Sequence, residues 1–226
     1  MRLDEQIKKD LVNQLYWDSR IDAADVTVRV DDGEVTLSGT VPSYHARQAG
    51  ADNAWLVEGI TAVDNQLEIV YTEPLTLPND NQIQTRILNS FSWNTDLRDH
   101  DLEVNVVNGR ATLEGTVDAF WKKLVAESEA YSTRGVIHVT NKLAVVPTED
   151  IVDELIAEDV VNALERNLRV SVEDVDVTVS DGRVTLSGTV PSTDARMAAY
   201  NAALYTAGVT DVVNTLTVSL PETMPV

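Results

Sequence analysis

Val35-Thr36-Leu37-Ser38-Gly39-Thr40-Val41 decides the fold, because it is written three times. It returns as Ala111-Thr112-Leu113-Glu114-Gly115-Thr116-Val117 and as Val184-Thr185-Leu186-Ser187-Gly188-Thr189-Val190, at offsets of 76 and 73 residues. Outward at those offsets, Gly59, Gly135 and Gly208 coincide, as do Asn65, Asn141 and Asn214. Towards the N-terminus, Asp4, Asp80 and Asp153 coincide, then Ile7, Ile83 and Ile156. Three repeats of 67 residues (4–70, 80–146 and 153–219) therefore align without a gap. Self-similarity at a fixed period marks a repeated supersecondary unit. With the joins apportioned, the expected domains are 1–72, 78–147 and 148–220.

Within the first repeat, Ile7, Leu11 and Leu15 recur at helical spacing, with Lys9, Asp10 and Asn13 on the other side. Val26, Val28 and Val30 alternate as a strand, and Asp32-Gly33 reads as a two-residue type I′ turn, whose positions both need positive φ. Asn108-Gly109 and Asp181-Gly182 occupy the same place. Such a turn sets Val30 opposite Val35 and Val28 opposite Leu37, so pattern and turn chemistry agree on one apolar face. Ser43 and Ser192 stand where an N-cap belongs. The second repeat has Ala119 there, so Asp118 is its expected cap. Gly59, Gly135 and Gly208 match a helix C′ position, and Val63, Leu67 and Ile69 form the last strand. The expected class is α+β: three tandem small α-β-β-α-β two-layer sandwiches, each a three-stranded sheet with two helices on one face. Gly33, Gly39, Gly59, Gly109, Gly115, Gly135, Gly182, Gly188 and Gly208 are its structural glycines.

The joins are short. Tyr71 to Asn79 holds Pro74 and Pro78 and reads as a semi-stiff spacer. In Pro147 to Val152 the later residues are expected to enter the next helix, with Thr148 as N-cap, while Pro221 and Pro225 mark a tail. A repeat of this size buries only roughly 60% of its surface on folding, so packing between repeats is expected.

The chain has 226 residues, with 37 acidic against 17 basic side chains and a formal charge of −20. That balance disfavours nucleic acid, whose binding needs a basic patch. No cysteine is present, which excludes disulfides, thiolate zinc sites and cysteine nucleophiles. Met1-Arg2-Leu3-Asp4-Glu5 opens on charge and not on the apolar core of a secretory signal, so the expected location is cytoplasmic. A mature periplasmic form with a replacement methionine reads the same way.

These residues resemble the BON domain, a small bacterial module named for osmotically inducible and nodulation proteins. The marks are the turn at Gly33, the Thr36-Leu37-x-Gly39-x-Val41 core, and Gly59, Val63, Asn65 and Leu67. Most recur in all three repeats, so the resemblance spans nearly the whole chain. It implies a non-enzymatic module of envelope and osmotic-stress proteins, with phospholipid as the proposed ligand. The marker glycines are backbone residues and imply no ligand contact.

No catalytic group is expected, nor any cofactor or metal. His45, His100 and His138 fall at different places in the repeat and carry no metal-ligand spacing. Gly-x-Val-Thr-Leu-x-Gly has no lysine and crosses a hairpin, unlike a phosphate loop. Asp31-Asp32 and Glu173-Asp174 lack the alternating ligands of a calcium loop. One local string has a functional edge: Phe120-Trp121-Lys122-Lys123, where rings beside ammonium groups suit a membrane interface. Charge agrees, since repeats 1 and 3 carry −8 and −7 but repeat 2 only −2. The competing reading packs Phe120 or Trp121 against a neighbouring repeat. Trp17 and Trp93 are equivalent residues, with Arg166 third, and either close the core edge or face a partner. Two functions follow: a phospholipid- or membrane-surface binder acting through repeat 2, or an acidic stress or scaffold protein with protein partners or self-association.

Overall fold

The computed structural model describes residues 3–71 and 77–218. Pro74, Pro221 and Pro225 lie outside the described residues, and with them most of the spacer and the tail. The first repeat holds α1 (Asp4–Trp17), β1 (Val26–Asp31), β2 (Glu34–Val41), α2 (Tyr44–Trp55) and β3 (Ala62–Ile69). The second holds α3 (Asp80–Trp93), β4 (Leu102–Val107), β5 (Arg110–Val117), α4 (Phe120–Ser132), β6 (His138–Asn141) and β7 (Ala144–Val145). The third holds α5 (Asp153–Glu165), β8 (Val175–Ser180), β9 (Arg183–Val190), α6 (Thr193–Leu204), β10 (Asp211–Asn214) and β11 (Thr217–Val218). The chain divides into two compact units: Met1–Asn89 with Val104–Thr112 and Ser128–Thr140, and Ser90–Glu103 with Leu113–Glu127 and Asn141–Val226. The middle repeat contributes residues to each.

In the first unit, Asp32 (φ 49°) and Gly33 (φ 81°) turn β1 into β2. The antiparallel register pairs Val30 with Val35 and Val28 with Leu37. β3 then returns parallel to β2, which makes β2 the central strand of the order β1-β2-β3. A parallel neighbour needs a crossover, and α2 supplies it. α2 faces the core with Ala46, Ala49, Gly50 and Ala54, small residues that let the helix lie close. A Cβ on Gly50 would come within 2.9 Å of a Leu67 methyl carbon. Ser43 caps α2 by accepting the Ala46 N–H at 3.2 Å.

The second unit repeats the pattern. One apolar cluster gathers Ile156, Val160 and Leu164 of α5, Ala195, Ala199 and Ala203 of α6, and Val184, Leu186 and Val190 of β9. Both helices therefore cover one face of that sheet. Each large aliphatic side chain so buried contributes roughly 1.5–3 kcal/mol.

Two of the recurring polar residues hold backbone. Asp4 accepts the Asp32 and Gly33 N–H groups, and Asp80 and Asp153 do the same for Asn108-Gly109 and Asp181-Gly182. They tie the first helix to the hairpin turn. Asn65 and Asn141 donate to the Arg47 and Lys123 carbonyls on the second helix, and each accepts the N–H two residues on, as Asn214 does. Gly188 shows why glycine is needed in the central strand: its φ is +124°, and an added Cβ would lie 2.3 Å from the Asp174 carbonyl oxygen.

Three expectations need correction. The third strand is continuous only in the first repeat. It breaks at Lys142-Leu143 and at Thr215-Leu216, so the last strand of those repeats is two short segments and those sheets count four strands; Asn65 makes the same side-chain bond within unbroken β3, so that bond is not the cause. Thr148 is not a cap, because α5 begins five residues later at Asp153 with Val152 before it. Ala119 directly precedes α4, and its carbonyl accepts the Lys122 and Lys123 N–H groups; the Asp118 carboxylate is engaged elsewhere.

Candidate functional site

The four residues singled out at the start of α4 have different environments. Phe120 is 8% exposed and belongs to the apolar cluster formed with the third repeat. Trp121 packs half-buried against that cluster, its ring centroid 6.2 Å from that of Tyr205. Lys122 occupies the position equivalent to Ala46 and Ala195, both fully buried, and its side chain is 18% exposed. Its Nζ donates to the Asp118 carboxylate at 2.9 Å and lies 3.3 Å from His100 Nε2. Lys123 is half-buried. Phe120 is thus spent on packing and Lys122 on an ion pair, and the string is not a free surface face.

The polar trio His100, Asp118 and Lys122 was not legible as a group. Burial disfavours the charged Asp118, but the Lys122 hydrogen bond and charge, with His100 adding, outweigh it and hold the carboxyl below its ordinary value. In this trio the Lys122 ammonium is held by the Asp118 carboxylate, with His100 on its other side. Among the described residues, no group of three or more His, Asp or Glu side chains is placed to hold a metal ion. His45 and His138 are exposed on separate elements of the first unit.

Exposed aromatic area lies instead at the ends of the first helices. Trp17 is 77% exposed and meets Tyr16, 70% exposed, edge to face at 5.3 Å. Helical spacing places Lys8, Lys9, Val12 and Tyr16 along one side of α1, and all four are exposed. Below this face, Asp18 closes α1. Its carboxylate accepts from Arg20, from the Arg20 backbone N–H and from buried Asn53 at 2.6 Å. The Arg20 hydrogen bonds first, then that of Asn53, hold its carboxyl far below the usual carboxylate range. In the second unit, Trp93 ends α3 and is 87% exposed. Neither tryptophan closes a core edge.

The BON domain pattern matches residues 3–71, 79–147 and 152–219, three times in tandem. The chain belongs to the BON domain family. No curated protein matches it. Among solved structures, it is similar to CdsD, a structural protein of the Type III secretion system of Chlamydia trachomatis, at 13% identity and a TM-score of 0.28, covering 96% of this chain and 94% of that one. A structure of the CdsD C-terminal domain gives 14% identity and a TM-score of 0.27, covering 98% of this chain and all of the other. Among the described residues of this triple BON chain, no helix is long and apolar enough to cross a membrane.

Proposed function

We propose that this tandem BON chain is a non-enzymatic, stress-related binding protein that associates peripherally with anionic phospholipid surfaces. The observation that carries the reading is the exposed side of α1, where Lys8, Lys9, Val12 and Tyr16 share a face with one acid, Glu5, and Trp17 meets Tyr16 at the C-terminal end of the helix. Indole and phenol rings suit the headgroup region, and lysines reach lipid phosphate. Each lysine near an anionic leaflet contributes about 1 kcal/mol, falling off within a Debye length of about 8 Å. The acidity of the first repeat opposes this attraction, which makes the contact weak and sensitive to salt. The start of α4, with Trp121 and Lys123 still partly exposed, is the secondary contact.

Co-sedimentation of the full chain with phosphatidylglycerol/phosphatidylcholine vesicles at low salt tests the proposal. The expected result is a bound fraction that falls with salt and with phosphatidylglycerol content, and that is lost in Trp17→Ala/Lys8→Glu/Lys9→Glu. Loss in Trp121→Ala/Lys123→Glu alone relocates the contact to the second repeat. No sedimentation with any anionic vesicle sinks the lipid reading. The same exposed tryptophans then favour the other function, an acidic scaffold gripping protein partners.

A further inference from the structure

We infer that the first unit contains a binding site for a small ring-bearing anion, in a groove between the start of α2 and the end of α4. The groove encloses about 380 Å³, within the range of small-ligand sites. Its walls are aromatic. Tyr44 and Tyr131 stack with centroids 4.5 Å apart and planes at 8°, and Arg47 lies over the Tyr131 ring at 5.7 Å. Tyr71 is fixed at the base, its hydroxyl accepting the Gly135 N–H and donating to the Val136 carbonyl. A planar ring entering here meets rigid faces that lose little freedom on binding.

The electrostatics select an anion. In a chain of −20, no described residue lining this groove is acidic, while Arg134 and His45 are exposed at its edge. The first turn of α2, capped by Ser43, presents the positive end of a twelve-residue helix to the same space. The second unit supplies an internal comparison. A groove of about 410 Å³ occupies the equivalent place there, but Asp118 stands for Pro42, Trp121 for His45 and Ala207 for Arg134, and Glu149 also lines it. One lysine remains, and Asp118 already pairs with it at 2.8 Å. The two grooves share a frame and differ in charge. Only the first suits a carboxylate, sulfonate or phosphate borne on a ring.

The test uses 8-anilinonaphthalene-1-sulfonate, an anion on planar rings, titrated into the full chain and followed by its fluorescence. The expected result is saturable binding, weakened at least tenfold in Pro42→Asp/Arg134→Ala, which installs the residues that the other groove carries. Arg134→Lys retains most of the affinity because it keeps the charge. Unchanged affinity in the double variant, or no saturable binding by the parent chain, overturns the site. So does an equal loss in Trp121→Ala, which places the probe in the second groove. Far-UV circular dichroism establishes that the double variant is folded, and the residues introduced are those native to the equivalent frame. Vesicle sedimentation is unchanged in Arg134→Ala, and probe binding is unchanged in Trp17→Ala, so this site and the lipid face fail separately.

Discussion

Replacing Asp153 with alanine removes both acceptors that tie α5 to the β8–β9 turn. The Asp153 carboxylate accepts the Asp181 N–H at 2.9 Å and the Gly182 N–H at 2.9 Å. Gly182 is buried, so its orphaned N–H costs about 1–3 kcal/mol, whereas that of Asp181 turns to water at little cost. Loss of an acidic charge from the first turn of α5 adds about 0.3–1 kcal/mol. The sum is about 2 kcal/mol, or roughly a 30-fold change in the opening equilibrium. Urea unfolding should show a lower midpoint with an unchanged slope, and amide exchange should accelerate most at Gly182. Glu154 shares the first turn, so Glu154→Ala loses only the helix-end share and serves as control. Equal costs for the two variants, or a loss below about 0.5 kcal/mol for Asp153→Ala, refute the tie.

Two further predictions follow from the same frame. Gly188→Ala forces a Cβ to 2.3 Å from the Asp174 carbonyl at a φ of +124°, and should destabilise by at least about 2 kcal/mol; a thermal midpoint within a degree of wild type counts against this. Asp18 keeps its charge to lower pH when folded than its unfolded value of about 3.9. Its stabilisation is therefore present at neutral pH and drains away as pH falls below 4 towards the depressed folded value. Asp18→Asn should be less stable than wild type at pH 7, with a gap that narrows steadily below pH 4; a gap constant down to pH 2 refutes the assignment.

The hairpins and the first helices were legible because their chemistry is local. Asp32-Gly33 demands a type I′ turn, and a period of two then leaves one register for Val28, Val30, Val35 and Leu37. The fate of Phe120-Trp121-Lys122-Lys123 was harder to see, because the string resembles an interfacial motif when read alone. The signal that could have decided it was already in the alignment. Lys122 falls on the column of Ala46 and Ala195, and a column of small residues on the second helix is the face against the sheet. The packing of Tyr44 on Tyr131 carried no such signal. It joins residues far apart in the chain, and only the tertiary arrangement within the first unit brings them together.

The positions that agree across the repeats and those that differ do separate work. Asp4, Asp80 and Asp153 bind turn amides, and Asn65, Asn141 and Asn214 each hold the amide two residues on, so identity there preserves backbone geometry. A ligand gains no discrimination from them, because all three repeats present the same thing. Discrimination requires columns in which one frame offers different side chains. Trp17, Trp93 and Arg166 end the first helices, while Tyr44, Phe120 and Thr193 open the second. In the latter column the aromatic residue meets Tyr131 within the first unit, and joins the cluster containing Leu204 in the second. In the third repeat the place is polar, and Thr193 and Asp194 do not offer a ring to a neighbour. Packing of one repeat on the next is thus encoded at the first two second-helix starts, where an aromatic side chain reaches residues of the following repeat, while the third start carries a polar pair in the same columns.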